Sequence, residues 1–239
     1  MKKHIPNFIT CMNLLCGCVG IVLSFKGNLV WAAYLVGIAS VFDFMDGMTA
    51  RLLKVYSPIG KELDSLADMV TFGVLPGVML FVLLQQSNLH NYLGNELLER
   101  FVKYVPFCIT IFSALRLAKF NVDTRQTSSF IGLPTPANTI FIASLPLILA
   151  NDKFGLSNII LHPYFLIALT IMMSYLLVAE IPLFSLKFKN LQWKSNRIQY
   201  VFLGTLLILL LTFFFAAIPM IIFLYIALSL LNNLKTKTP

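Results

Sequence analysis

Apolar runs of roughly 20 residues recur along the whole of this 239-residue chain, and that recurrence constrains the fold more than any single motif. Each run has the length an α-helix needs to cross the hydrocarbon core of a bilayer. They fall at approximately 6–26, 29–50, 60–86, 102–121, 133–150, 159–184, 198–214 and 217–233. In hydrocarbon, backbone polar groups must be satisfied internally, which leaves helices or a closed barrel. A barrel reads as alternating segments of about 10 residues, and these runs do not alternate. The expected class is an all-α polytopic membrane protein, a helical bundle of about eight transmembrane helices. The range is six to eight, because the last two runs are separate only if "AAIPM" around Pro219 makes a tight turn. Hydrophobic residues are 58% of the chain, above the 45–50% usual for a soluble domain. With no low-complexity tract or clear repeat, residues 1–239 read as a single membrane domain.

The first run, "MKKHIPNFITCMNLLCGCVGIVLSF", begins like a signal peptide. It carries Asn7 and Asn13 and has no A-x-A cleavage pattern, so it reads as a retained helix. Cys11, Cys16, Cys18 and Cys108 lie within spans, where thiols pack as small apolar groups, and Cys16 and Cys18 lack C-x-x-C spacing. The net charge of +8 suits anionic headgroups and cytoplasmic loops, and nothing resembles a nucleic-acid module. With eight spans, 14 of the 18 basic residues fall on the side shared by both termini and the loops near 51–61, 116–132 and 187–197. Lys26, Arg100, Lys103 and Lys153 fall on the other. The positive-inside rule makes the first side cytoplasmic, and a bacterial cytoplasmic membrane is the expected location.

That same side carries "DFMDGMTARLLKVYSPIGKELDSLAD", residues 43 to 68. Asp43 and Asp46 are three apart and share a helix face near the end of the second span; Asp64 and Asp68 are four apart and share one at the start of the third. Between them "KVYSPIG" reverses the chain, with Ser57 suited to the N-cap and Pro58 to the first helical position. A short connector makes the two helices antiparallel neighbours, so all four carboxylates converge. Held in a low-dielectric site, each costs several kcal/mol unless paired. Arg51 and Lys61 cannot neutralise four. One or two divalent cations can, and oxygen-only ligands select Mg²⁺, Mn²⁺ or Ca²⁺ over zinc. Gly47, Ala50 and Gly60 lie on or beside the same faces. They allow close helix packing, and they equally leave a slot for a flat group beside metals, as a nucleotide diphosphate would need.

The pattern Asp43-x2-Asp46-Gly47-x2-Ala50-Arg51-x8-Gly60-x3-Asp64-x3-Asp68 resembles the signature of the CDP-alcohol phosphatidyltransferases, with every position and spacing intact. The resemblance implies a membrane enzyme that moves a phosphatidyl group from a CDP-activated lipid to an alcohol and releases CMP. It also implies that Asp43, Asp46 and Asp64 bind divalent metal, with Mg²⁺ or Mn²⁺, as two ions, the expected cofactor. Asp68 would approach the metals and act as general base. Gly47, Ala50 and Gly60 would frame the cytidine, with Arg51, Asn7 and Thr10 also assigned to CDP. Asn7, Thr10 and Asn13 share one face of the first helix, where hydrogen bonding between helices and contact with the nucleotide are both open readings.

"IPNFITCMNLLCG" and "ALRLAKFNV…FIGLPTPA" are similar to the integral-membrane phosphatidylserine synthases, which implies CDP-diacylglycerol and L-serine as substrates and a homodimer among membrane lipids. Arg116, Lys119, Asn121 and Arg125 are then candidates for the acceptor or the lipid phosphate. Span-end cations of this kind also serve as snorkelling anchors. "GLPTPA" (132–137) is either a rigid turn or part of the acceptor pocket. Glu180, in the sixth span, has no assigned role. Two other readings stay open: another acceptor (glycerol 3-phosphate, inositol phosphate or choline), and a cation-coupled transporter, which predicts acids near mid-bilayer.

Overall fold

Small residues, not large ones, point inward on the first helix. Its buried positions are Pro6, Thr10, Asn13, Cys16, Gly17, Gly20 and Ser24, all but Cys16 spaced by three or four, while Phe8, Leu15 and Val22 are exposed. Lipid is as apolar as leucine, so helices in a bilayer associate through close backbone approach and hydrogen bonds. At Gly17 a Cβ would lie 2.9 Å from the Thr71 Cα, and at Gly20 it would lie 2.8 Å from a Leu75 methyl. The computed structural model in which these contacts are seen describes residues 4–55, 57–123, 130–183 and 197–237.

Helix α1 (His4–Phe25) turns at Gly27, φ +78°, into α2 (Leu29–Leu53). The third span, Pro58–Gln86, is one continuous rod built as α3 (Pro58–Asp68), a π-helical turn (Met69–Val74) and α4 (Leu75–Gln86). At the far end, short helices α5 (Leu89–Leu93) and α6 (Glu96–Val102) lead into α7 (Cys108–Val122). Helices α8 (Thr135–Asn151), α9 (Ser157–Ile160) and α10 (Pro163–Val178) follow, then α11 (Arg197–Phe213) and α12 (Ala217–Lys237). Helix α4 is the centre of the bundle: Leu75, Met79, Leu80, Leu83 and Leu84 are fully buried, and it touches α1, α7, α8 and α10.

The all-α polytopic reading holds, with differences at element ends. The sixth span stops at Val178 because the chain runs extended into β2 (Pro182–Leu183), which pairs antiparallel with β1 (Phe130–Ile131). Glu180 therefore lies beyond its helix rather than inside a span. The apolar stretch Gln199–Leu231 has 33 residues, which as one straight helix would measure about 50 Å against a core of about 30 Å. It folds back instead. The reversal sits at Phe214 (φ +51°), and beyond it the Phe202 and Tyr225 rings pair at 5.6 Å. Pro219 lies in the first turn of α12, where its missing N–H is not needed. The last two runs are thus two helices folded against each other.

Candidate active site

Two helix ends meet to make the site. Helix α2 closes on Lys54 in the left-handed conformation (φ +52°), with Lys54 N–H bonded to the Arg51 carbonyl and Val55 N–H to that of Ala50. This is a Schellman end. Helix α3 opens with Ser57, whose Oγ accepts from Gly60 N–H at 3.3 Å, and with Pro58 in the first turn. Capping thus stops one helix and restarts the next within four residues, so the aspartates of both face the same space.

Carboxylate oxygens of Asp43, Asp64 and Asp68 lie within 4.8 Å of one another. Asp46 adjoins the trio, in the same wall as Asp64. It is buried, and its Oδ2 accepts a 2.7 Å hydrogen bond from the Thr10 hydroxyl. Asn13 Nδ2 donates to Asp68 Oδ1 at 3.3 Å. Helix α1 therefore binds both aspartate pairs. Among the described residues no Lys or Arg nitrogen pairs with any of the four carboxylates, and Asp64 Oδ1 is buried with no donor. Clustered anions, oxygen ligands only and an orphaned acceptor suit a hard divalent cation. Asp43, Asp64 and Asp68 can hold one.

Beside the trio opens a cleft of about 230 Å³ lined by Asn7, Thr10, Asp46, Gly47, Ala50, Gly60 and Asp64, with Pro6, Val55, Ser57 and Lys61 completing its wall. Asp64 belongs to both the trio and the cleft. Gly47 faces open space, since a Cβ there would meet no atom within 4 Å. At Gly60 the corresponding Cβ would sit 2.9 Å from Asn7 Oδ1. Arg51 is outside this lining; it is exposed and its Nε donates to the Gly47 carbonyl at 3.0 Å.

The π turn follows directly on Asp68. A π turn leaves carbonyls poorly matched to the helical ladder, and hydroxyls of other helices take them up. Thr139 of α8 donates to the Phe72 carbonyl at 2.9 Å, and Thr110 of α7 to that of Gly73 at 3.0 Å. Thr71 in turn donates to the Asn13 carbonyl at 3.1 Å. Sequence reasoning missed these threonines and the cleft residues Pro6, Val55 and Lys61. Hydroxyls within apolar runs were the signal for the threonines, but nothing in the sequence shows which carbonyl each meets.

Of the acceptor candidates, Arg116 is buried and donates from Nη1 to the Ile131 carbonyl at 3.0 Å, while Lys119 is exposed. Asn121 Nδ2 donates to Ser65 Oγ at 2.9 Å, fastening α7 to the helix that carries Asp64 and Asp68. Arg125 lies outside the described residues.

The sequence model of the CDP-alcohol phosphatidyltransferase family matches residues 3–181. Among individual proteins, the chain is 32% identical over 167 residues to the CDP-diacylglycerol–serine O-phosphatidyltransferase of Bacillus subtilis, covering 65% of this chain and 85% of that one. It is 33% identical over 151 residues to the protein of that name from Helicobacter pylori (strain J99), covering 62% of this chain and 59% of the relative. It is 32% identical over 143 residues to an archaetidylserine synthase of Methanothermobacter thermautotrophicus, covering 59% and 56%. The chain thus spans somewhat under three fifths of the last two.

Proposed function

This chain belongs to the CDP-alcohol phosphatidyltransferase family, and on that premise we propose that it transfers the phosphatidyl group of CDP-diacylglycerol to the hydroxyl of L-serine, giving phosphatidylserine and CMP. The observation that carries the reading is the meeting of the Asp43–Asp64–Asp68 trio with the cleft through Asp64. Serine is supported by the names of the relatives from Bacillus and Helicobacter.

In this reading Asp43, Asp64 and Asp68, with Asp46 beside them, hold Mg²⁺ or Mn²⁺, as two ions. A bound divalent cation supplies charge neutralisation at the diphosphate and at the departing CMP. The nucleotide occupies the cleft, with Asn7 and Thr10 on one side and Gly47, Ala50 and Gly60 on the other. Asp68 accepts the proton of the serine hydroxyl as its oxygen attacks the β-phosphorus and the bond to CMP breaks. Asn13 holds one oxygen of Asp68, which leaves the other for the proton. Holding the hydroxyl close and in line matters more here than basicity, because a carboxylate near cations is a weak base. Arg116 and Lys119 attract the acceptor's carboxylate or the lipid phosphate.

The same reading sets the aspartate end and both termini on the cytoplasmic side of a bacterial cytoplasmic membrane. Basic residues support it: Lys54, Arg116 and Lys119 lie at the aspartate end, and Lys26, Arg100, Lys103 and Lys153 at the other. One membrane domain associating as a homodimer completes the reading, and crosslinking in native membranes tests the dimer.

Release of CMP from CDP-diacylglycerol by the purified protein tests the function, with L-serine or competing alcohols and with or without Mg²⁺ or Mn²⁺. Release that needs both serine and metal is expected. Release only with glycerol 3-phosphate, inositol phosphate or choline would discard serine and keep the site. No release with any alcohol would discard the transferase reading.

A further inference from the structure

We propose that Glu180 and Arg116 read the acceptor as a zwitterion, Glu180 taking an α-ammonium and Arg116, with Lys119, the carboxylate beside it. The inference rests on the reading of serine as acceptor and assigns a residue, Glu180, that the family signature does not contain.

A second polar cavity opens near the aspartate end of the bundle, with a volume of about 30 Å³ and with Arg116, Lys119, Asp123 and Glu180 in its wall. About 10–15 Å³ of such volume holds one water, so this space admits two or three heavy atoms, room for one charged end group such as a carboxylate, and excludes a nucleoside. Arg116 is only 6% exposed. One of its five donors is used, on the Ile131 carbonyl at 3.0 Å. No described carboxylate pairs with it. Burying a guanidinium is costly unless an anion lies near it, and an anionic ligand lowers that cost.

The backbone beside the acid is tied to the same segment that anchors the base. Ile131, whose carbonyl anchors Arg116, is paired in the β-ladder with Pro182, two residues after Glu180. The next residue, Gly132, donates its N–H to the Ile181 carbonyl at 2.9 Å, and Leu133 donates to that of Leu176 at 2.9 Å. Gly132 has φ +75°, and a Cβ there would lie 2.8 Å from the Leu177 carbonyl oxygen and 2.9 Å from that of Ala179. Three consecutive residues therefore hold the backbone on either side of Glu180, at Leu176 and at Ile181 and Pro182. The two side chains line one cavity without forming an ion pair with each other.

A cavity lined by two bases, Arg116 and Lys119, and two acids, Asp123 and Glu180, matches a ligand that carries both charges on adjacent atoms. A phosphorylated alcohol would meet the repulsion of Glu180, and choline would leave Arg116 without an anion. An amino acid with a free hydroxyl satisfies both. The helix that carries Arg116 is fastened to the helix of Asp64 and Asp68, since Asn121 of α7 is bonded to Ser65 of α3.

The test uses the full-length protein in detergent or nanodiscs and measures CMP release with L-serine, 3-hydroxypropanoate (no ammonium) and ethanolamine (no carboxylate). Wild type is expected to use serine well and both analogues poorly. Glu180→Gln is expected to raise the KM for serine about tenfold to a hundredfold, the effect of losing a charge-assisted hydrogen bond. The KM for CDP-diacylglycerol should hold, and the preference for serine over 3-hydroxypropanoate should shrink by the same factor. Glu180→Asp should recover part of the loss. Glu180 is exposed, so its variants keep the fold. A serine KM within twofold of wild type in Glu180→Gln, or an equal rise for 3-hydroxypropanoate, would overturn the inference and leave the transferase reading standing. Absence of serine-dependent release by wild type would overturn the serine reading itself.

Discussion

Gly47→Ala separates the cleft as a binding site from the cleft as a packing gap. Gly47 is within α2, six residues from its end, and an added Cβ would meet no protein atom within 4 Å. The folded protein should therefore accept the methyl. In a helix interior alanine is favoured over glycine by roughly 0.5–1 kcal/mol, so thermal stability should hold or rise slightly. The carbonyl that receives Arg51 Nε belongs to the backbone and is unchanged. The methyl enters the cleft, whose volume is about 230 Å³. Forcing a methyl into a filled site costs about 1–3 kcal/mol, a rise of roughly 5- to 150-fold in the KM for CDP-diacylglycerol. Gly37→Ala is the internal control: it lies on the same helix, also has no atom within 4 Å of its Cβ, and lines an apolar groove away from the aspartates. It should gain the same helix stability with no change in KM. CMP release at saturating serine, with melting curves in the same detergent, measures both. A Gly47→Ala enzyme that keeps its KM within twofold, or a Gly37→Ala enzyme that loses it equally, would refute the assignment of the nucleotide to this cleft.

Asp68→Asn should remove turnover while CDP-diacylglycerol still binds, because asparagine keeps an oxygen for Asn13 Nδ2; single-turnover CMP release and lipid-binding assays separate the two. Thr10→Val leaves Asp46 Oδ2 without its 2.7 Å donor, and losing a bond to a charged group costs about 1.5–3 kcal/mol. Its expected result is a 10- to 100-fold higher metal concentration for half-maximal activity, read from a Mn²⁺ titration. Gly17→Ala drives a Cβ to 2.9 Å from the Thr71 Cα, so α1 has to separate from the π turn. Overpacking of this kind costs about 1–3 kcal/mol, and a lower melting temperature with serine and CDP-diacylglycerol absent is the readout. Gly132→Ala combines φ +75° with a carbonyl at 2.8 Å and should misfold or lose yield, which detergent gel filtration shows.

Periodicity and spacing are local, and whatever depends on them was legible in the chain. Apolar runs of membrane length announce helices because hydrocarbon permits little else. Ser57 and Pro58 announce the start of α3 because a cap acts over three residues. Asp43 with Asp46, and Asp64 with Asp68, share faces through the helical period alone. Expecting all four to converge was already an inference across helices. Thr10, 36 residues away, holds one oxygen of Asp46, while oxygens of Asp43, Asp64 and Asp68 lie within 4.8 Å of one another. Thr110 and Thr139 satisfy the π turn from 37 and 67 residues away, so no local pattern marks it. Glu180 had no legible role because its neighbour Arg116 is brought to it by Ile131 and Gly132 of another segment. The sequence by itself determined a helical membrane bundle with four carboxylates at one end. The tertiary structure alone decided which oxygens cluster, which carboxylate is held by a hydroxyl, and which acids and bases line one cavity. Those relations are distances between helices, and they are set by small residues and hydroxyls meeting across the bundle rather than by neighbours along the chain.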